Sequence, residues 1–115
     1  MELVALLSTG KGTWAQVAGV IKYQEWDNII LIGNEFAKKF SCEKDFEFIE
    51  IKSHRLVEIK EELEKKLKGK IKGTEVALTI ASGDGKEHMA LISALLSQPV
   101  GVRFCALTKK GLVML

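Results

Sequence analysis

The sequence predicts an α/β domain: a Rossmann-like, mainly parallel sheet of about five strands, with helices on both faces and a C-terminal β-hairpin. Three observations predict it. Short continuous apolar runs alternate with stretches of helical periodicity. Those runs lack the apolar/polar alternation of a sheet with one wet face, which implies cover on both sides. Two of them end in glycine-rich turns that lead directly into a helix. With 115 residues, 47% of them hydrophobic, the chain is long enough for one core, so residues 1–115 are taken as a single domain.

The elements follow in order. Leu3-Val4-Ala5-Leu6-Leu7 is a buried strand, and Ser8-Thr9-Gly10-Lys11-Gly12-Thr13 is the turn after it. Trp14, Val17, Ala18 and Ile21 repeat at helical spacing, with Thr13 as N-cap candidate. Ile29 to Ile32 is a second buried strand closed by Gly33-Asn34, and Glu35 to Phe40 reads as a short helix. Phe46, Phe48 and Ile51 mark a third strand nearer an edge. Leu56, Ile59, Leu63 and Leu67 form one face of the next helix, whose other face carries Glu–Lys pairs four apart and is expected to be solvated. Val76 to Ala81 is a fourth buried strand. After Ser82-Gly83-Asp84-Gly85-Lys86-Glu87-His88, the residues Met89, Ile92 and Leu96 mark a helix that stops near Pro99. Val100 to Leu107 is a fifth strand, and Lys109-Lys110-Gly111 turns the chain back into a hairpin strand at Leu112 to Leu115.

Composition excludes several classes of function. A net charge of +2 gives no electrostatic coat for duplex nucleic acid or a membrane surface. No apolar run approaches the roughly 18 residues of a membrane span. Glu2 follows Met1 directly, so no signal-peptide pattern is present. Cys42 and Cys105 lie far apart without CxxC spacing and are expected to be buried free thiols in a reducing compartment. The expectation is a cytoplasmic protein with no membrane partner and no direct duplex contact.

The glycine-rich turns follow the first and fourth strands. In open parallel sheets, ligands bind outside the carboxyl ends of the strands, where strand order reverses. If the first strand leads outward to the second and third, the fourth must start on its other side, and both turns meet at that point. Glycines let backbone N–H groups approach an anion, and a helix N-terminus adds partial positive charge. Lys11 and Lys86 add full charges; Ser8, Thr9, Thr13 and Ser82 add hydroxyls. This chemistry suits a phosphate, although turns between strands and helices also need glycine for purely structural reasons. A P-loop is excluded, because Gly85-Lys86 precedes Glu87 rather than Ser or Thr and Ile80 stands where the upstream glycine belongs. Gly10-Lys11-Gly12-Thr13-Trp14-Ala15 matches a dinucleotide fingerprint by letter, but Trp14 is expected to crowd such a ligand. No cluster has metal-ligand spacing, and no cofactor is implied. His88, at the second turn, is the candidate for proton transfer.

At these turns the sequence resembles CARF domains, the CRISPR-associated Rossmann-fold family that senses cyclic oligoadenylates. The likeness lies in Ser8-Thr9-Gly10-Lys11-Gly12 after the first strand, and in Ala81-Ser82-Gly83-Asp84-Gly85-Lys86 leading into Met89-Ala90-Leu91 after the fourth. The chain departs from the family at Asp84, where a second glycine is common, at Gly85, where threonine is usual, and by one extra residue before Met89. The resemblance implies a homodimer with a cyclic tetra- or hexa-adenylate on its two-fold axis. It implies one part of each half-site at Ser8, Thr9, Gly10 and Lys11, and the other at Gly83, Gly85 and Lys86. It also implies metal-independent ring cleavage as an activity, with Lys86 stabilising charge, Ser8 or Thr9 orienting the phosphate and His88 as acid or base. In such a chain the sensor stands alone. Two other expectations stay open: a Rossmann-like enzyme using a mononucleotide or dinucleotide, and a non-catalytic assembly subunit.

Overall fold

The computed structural model describes residues 1–8 and 11–115, so Thr9 and Gly10 of the first turn lie outside the described residues. The chain runs β1 (Glu2–Leu7), a 3-10 turn (Lys11–Thr13), α1 (Trp14–Tyr23), β2 (Asn28–Gly33), a 3-10 helix (Glu35–Lys39) and β3 (Glu47–Glu50). It continues through α2 (Leu56–Leu67), β4 (Glu75–Thr79), α3 (Gly85–Leu96), β5 (Gly101–Thr108) and β6 (Gly111–Met114). The fold is α/β, with a six-stranded sheet in the order β3-β2-β1-β4-β5-β6. β1 to β5 pair in parallel, and β6 returns antiparallel on β5 with Cys105 opposite Met114.

β1 lies at the centre, and all six of its residues are buried. Alternate side chains of a strand point to opposite faces, and each face of β1 meets helices. Leu3, Ala5 and Leu7 pack with Trp14, Val17, Val20 and Ile21 of α1. Val4 and Leu6 pack with Ile59, Leu63 and Leu67 of α2 and with Leu91 and Leu95 of α3. The one carboxylate in this strand, Glu2, is 4% exposed. It accepts the backbone N–H groups of Lys72 at 2.9 Å and Gly73 at 2.6 Å, so burial is compensated by two charge-assisted bonds. Those bonds pin the loop before β4 beside the start of β1.

Several expectations are corrected. α3 turns Ala90, Leu91, Ala94 and Leu95 inward, while Met89 and Leu96 are 58% and 63% exposed. From Met89 to Leu96 only Ser93 is polar, so periodicity alone does not select a face; packing against α2 does. β4 ends at Thr79 rather than Ala81, and Ile80 is 44% exposed. β5 is covered less fully than the inner strands: α1 and α3 both touch it, but only Cys105 of its eight residues is buried, with Val102 and Phe104 partly buried against the core on the α3 side. Cys42 is half-buried and free, and its thiol donates to the Lys44 carbonyl. Burial pushes the Cys105 thiol above its ordinary pKa. No helix among the described residues is long and apolar enough to cross a membrane.

Candidate functional site

The strand order reverses at β1. The chain moves outward through β2 and β3 on one side, then restarts at β4 on the other. The turns after β1 and β4 therefore adjoin, and Ser82 is the residue that joins them. Its hydroxyl oxygen accepts the Ser8 backbone N–H at 2.9 Å and the Thr13 hydroxyl at 2.8 Å. It lies 3.3 Å from the Ser8 hydroxyl, to which it donates. Ser82 is 1% exposed. The expected ligand donor is thus spent inside the protein, holding one turn on the other. Thr13 does not cap α1 with its side chain; its hydroxyl serves this junction instead. Trp14 does not stand open to a ligand either. Its indole N–H donates to the Ser8 carbonyl at 2.7 Å, and its ring packs against Phe36 and Phe40.

Beyond β4, Gly83 has φ +106°, a conformation that side chains with a Cβ avoid. A Cβ there would also stand 3.1 Å from the His88 ring. Asp84 is the N-cap of α3: its carboxylate accepts Glu87 N–H at 2.8 Å, and Glu87 returns the bond to Asp84 N–H at 2.9 Å. This capping box places the chain's own carboxylate at the helix N-terminus, where an external anion was expected. Gly85 opens the helix, and a Cβ there, as at Gly12, would meet nothing within 4 Å.

Lys86 points across the opening rather than into the turn. Its ammonium donates to the His54 carbonyl at 2.7 Å, bridging α3 to the β3–α2 loop. His88 is a poor candidate for proton transfer to a ligand. Both ring nitrogens are buried and without a hydrogen-bond partner among the described residues. The ring lies against Gly83, outside the lining of the cleft described next.

That cleft, of about 400 Å³, opens at the carboxyl ends of β1, β2 and β3. Ser8, Gly83, Asp84 and Lys86, all expected at the site, line it. So do Asn34, Ser53 and His54, which sequence reasoning missed, over buried Ile51 and Ile59. Gly33 lets β2 approach here: a Cβ would come within 2.7 Å of the Leu7 carbonyl and 2.5 Å of the Ala37 side chain. Asn34 then caps the 3-10 helix by accepting Ala37 N–H at 3.2 Å. Glu62 holds the β3–α2 loop by accepting the N–H groups of Lys52 at 3.0 Å and Ser53 at 2.9 Å. Burial alone would raise the Glu62 carboxyl, but the Lys66 ammonium and those backbone donors outweigh it and bring it down to about 2.

Chemically, the cleft offers an ammonium, hydroxyl and amide donors at its rim, the Asp84 and Glu87 carboxylates of the capping box beside them, and an apolar floor. Among the described residues no group of three or more His, Cys, Asp and Glu side chains is placed to hold a metal ion. A second hollow, of about 390 Å³, is apolar and lies between α1 and the ends of β4 and β5, with Val20, Ile80, Phe104 and Leu115 in its walls. No family model matches the chain, and no curated protein or solved structure matches it at a significant level.

Proposed function

We propose that this protein is a Rossmann-like nucleotide sensor of CARF type, which binds a cyclic oligoadenylate in the cytoplasm as a homodimer. The observation that carries this reading is the junction at the strand-order reversal. It places Ser8 and the Gly83–Lys86 turn on one polar-rimmed cleft at the carboxyl ends of the strands. At about 400 Å³ the cleft has room for one nucleotide-sized piece of a ring. A two-fold axis through a symmetric ring would bring a second cleft to it, with the remaining adenylates against the surface around the axis.

Ring cleavage is the activity that follows from this reading. A ribose 2′-hydroxyl attacks the adjacent phosphorus, the bond from phosphorus to the 5′-oxygen breaks, and the proton of the 2′-hydroxyl ends on that oxygen. The products carry a 2′,3′-cyclic phosphate and a 5′-hydroxyl. Lys86 would stabilise the charge on the phosphoryl oxygens after leaving the His54 carbonyl. Labelled cyclic tetra- and hexa-adenylate, incubated with the protein with and without EDTA, test both steps. Binding that Lys86→Ala abolishes supports the site, and cleavage in EDTA supports the nuclease. Absence of binding at micromolar protein overturns the proposal.

One observation favours an assembly role as the second reading. Met89 and Leu96 stand seven residues apart on one side of α3 and are each more than half exposed, an apolar edge that a partner could cover. A monomer in light scattering would count against both the dimeric sensor and the assembly subunit.

A further inference from the structure

The cleft has a wall that neither glycine turn supplies. It is the loop between β3 and α2, and this loop is tied from two sides. From behind, Glu62 accepts its backbone N–H groups at Lys52 and Ser53, and Lys66 donates to both Glu62 and the Glu50 carbonyl at 2.7 Å. From in front, Lys86 reaches over the cleft to the His54 carbonyl. A surface segment held by charge-assisted bonds to its backbone is pre-organised, which is what a recognition wall requires.

The lining of the cleft is chemically mixed. Ser8, Gly83 and the Lys86 ammonium share it with the carboxylates of Asp84 and Glu87, which are engaged by backbone N–H groups at the start of α3. The exposed His54 imidazole and Asn34, whose side-chain oxygen is engaged by Ala37 and whose NH₂ remains as a donor, add polar edges. Ile51 and Ile59 make the floor apolar. A planar heterocycle joined to a phosphate fits this lining, with an apolar face for the floor, edge groups for Asn34 and His54, and charge for Lys86.

We propose that the β3–α2 loop is the base-recognising half of the site: His54 contacts the nucleobase of one nucleotide unit, while Lys86 moves from the His54 carbonyl to that unit's phosphate. The inference rests on the nucleotide reading above and adds a specificity-determining residue to it. The loop keeps its place when the ammonium leaves, because Glu62 holds the backbone at Lys52 and Ser53 from behind.

The test is an NMR titration of the labelled protein with AMP, adenosine and inorganic phosphate in turn. AMP is expected to shift the His54 ring and Gly83 amide signals together. Adenosine is expected to move His54 and not Gly83, and phosphate Gly83 and not His54. His54→Ala, at an exposed position that leaves the fold intact, should weaken AMP about tenfold, in the range of one lost base–aromatic contact, and leave phosphate binding unchanged. If AMP or cyclic tetra-adenylate binds with Gly83 shifting and His54 still, or if His54→Ala binds AMP as tightly as the parent, this inference falls while the nucleotide reading survives. If neither AMP nor cyclic tetra-adenylate moves any cleft signal, the nucleotide reading falls and takes this inference with it.

Discussion

Glu62 ties the stability of the domain to pH through the same loop that walls the cleft. Its folded-state pKa is depressed, from 4.5 to about 2, so its contribution is fully present above the unfolded value and is lost as pH falls toward the folded one. A shift of that size corresponds to at most about 3.4 kcal/mol, at roughly 1.4 kcal/mol per pKa unit. The Glu62 side chain keeps 13% of its exposure, and its partner Lys66 keeps 38%. Solvent therefore screens the pair, and about 2 kcal/mol is the expected contribution at pH 7. Glu62→Gln should lose that amount at pH 7, because the amide retains the shape but not the charge. The gap to the parent should shrink as pH falls below the unfolded value, with less than half of it left at about pH 3. Glu50 and Glu64 are also held below the ordinary carboxylate range, Glu50 mainly by Lys38 and Glu64 mainly by Lys60. Both are present in parent and variant, so their effects cancel in the difference. Urea unfolding followed by the fluorescence of buried Trp14 and Trp26 at a series of pH values measures the gap. A gap that stays constant from pH 7 to pH 3, or no loss at pH 7, would refute the assigned charge network.

Two further outcomes are expected from the same unfolding measurement. Ser82→Ala removes the acceptor for Ser8 N–H and the Thr13 hydroxyl and should cost about 2 kcal/mol, at roughly 1 kcal/mol per hydrogen bond; a loss under about 0.5 kcal/mol would show that the two turns do not depend on this hydroxyl. Gly83→Ala forces a Cβ into positive φ and against the His88 ring and should cost about 1–3 kcal/mol, whereas a variant as stable as the parent would contradict the backbone geometry of this turn.

Much of the framework was legible because burial leaves a strong mark on composition. β1 and β2 lie under helices on both faces, and both read as unbroken apolar runs. The meeting of the first and fourth turns was an expectation conditional on strand order, and it is met because β4 pairs with β1 rather than with β3. The Asp84–Glu87 capping box has a local signature, an acid three residues ahead of a glutamate at a helix start, which the reading of this turn as an anion site passed over. Asn34, Ser53 and His54 left no such mark. Each is a lone polar residue in a loop, and nothing local says that three separate strands end at the same cleft.

By itself, the sequence determined the alternation of strands and helices and the identity of the central strands. These follow from local hydrophobic pattern, which acts on each segment or its neighbours. Only the tertiary structure decided which face of α3 is buried, that the Ser82 hydroxyl is consumed inside the junction, and that Lys86 spans to His54 across 32 residues of chain. Those outcomes depend on which side chains meet at a distance. A helical stretch with a single polar residue, or a lysine with several acceptors in reach, takes its role from packing rather than from its own neighbourhood in sequence.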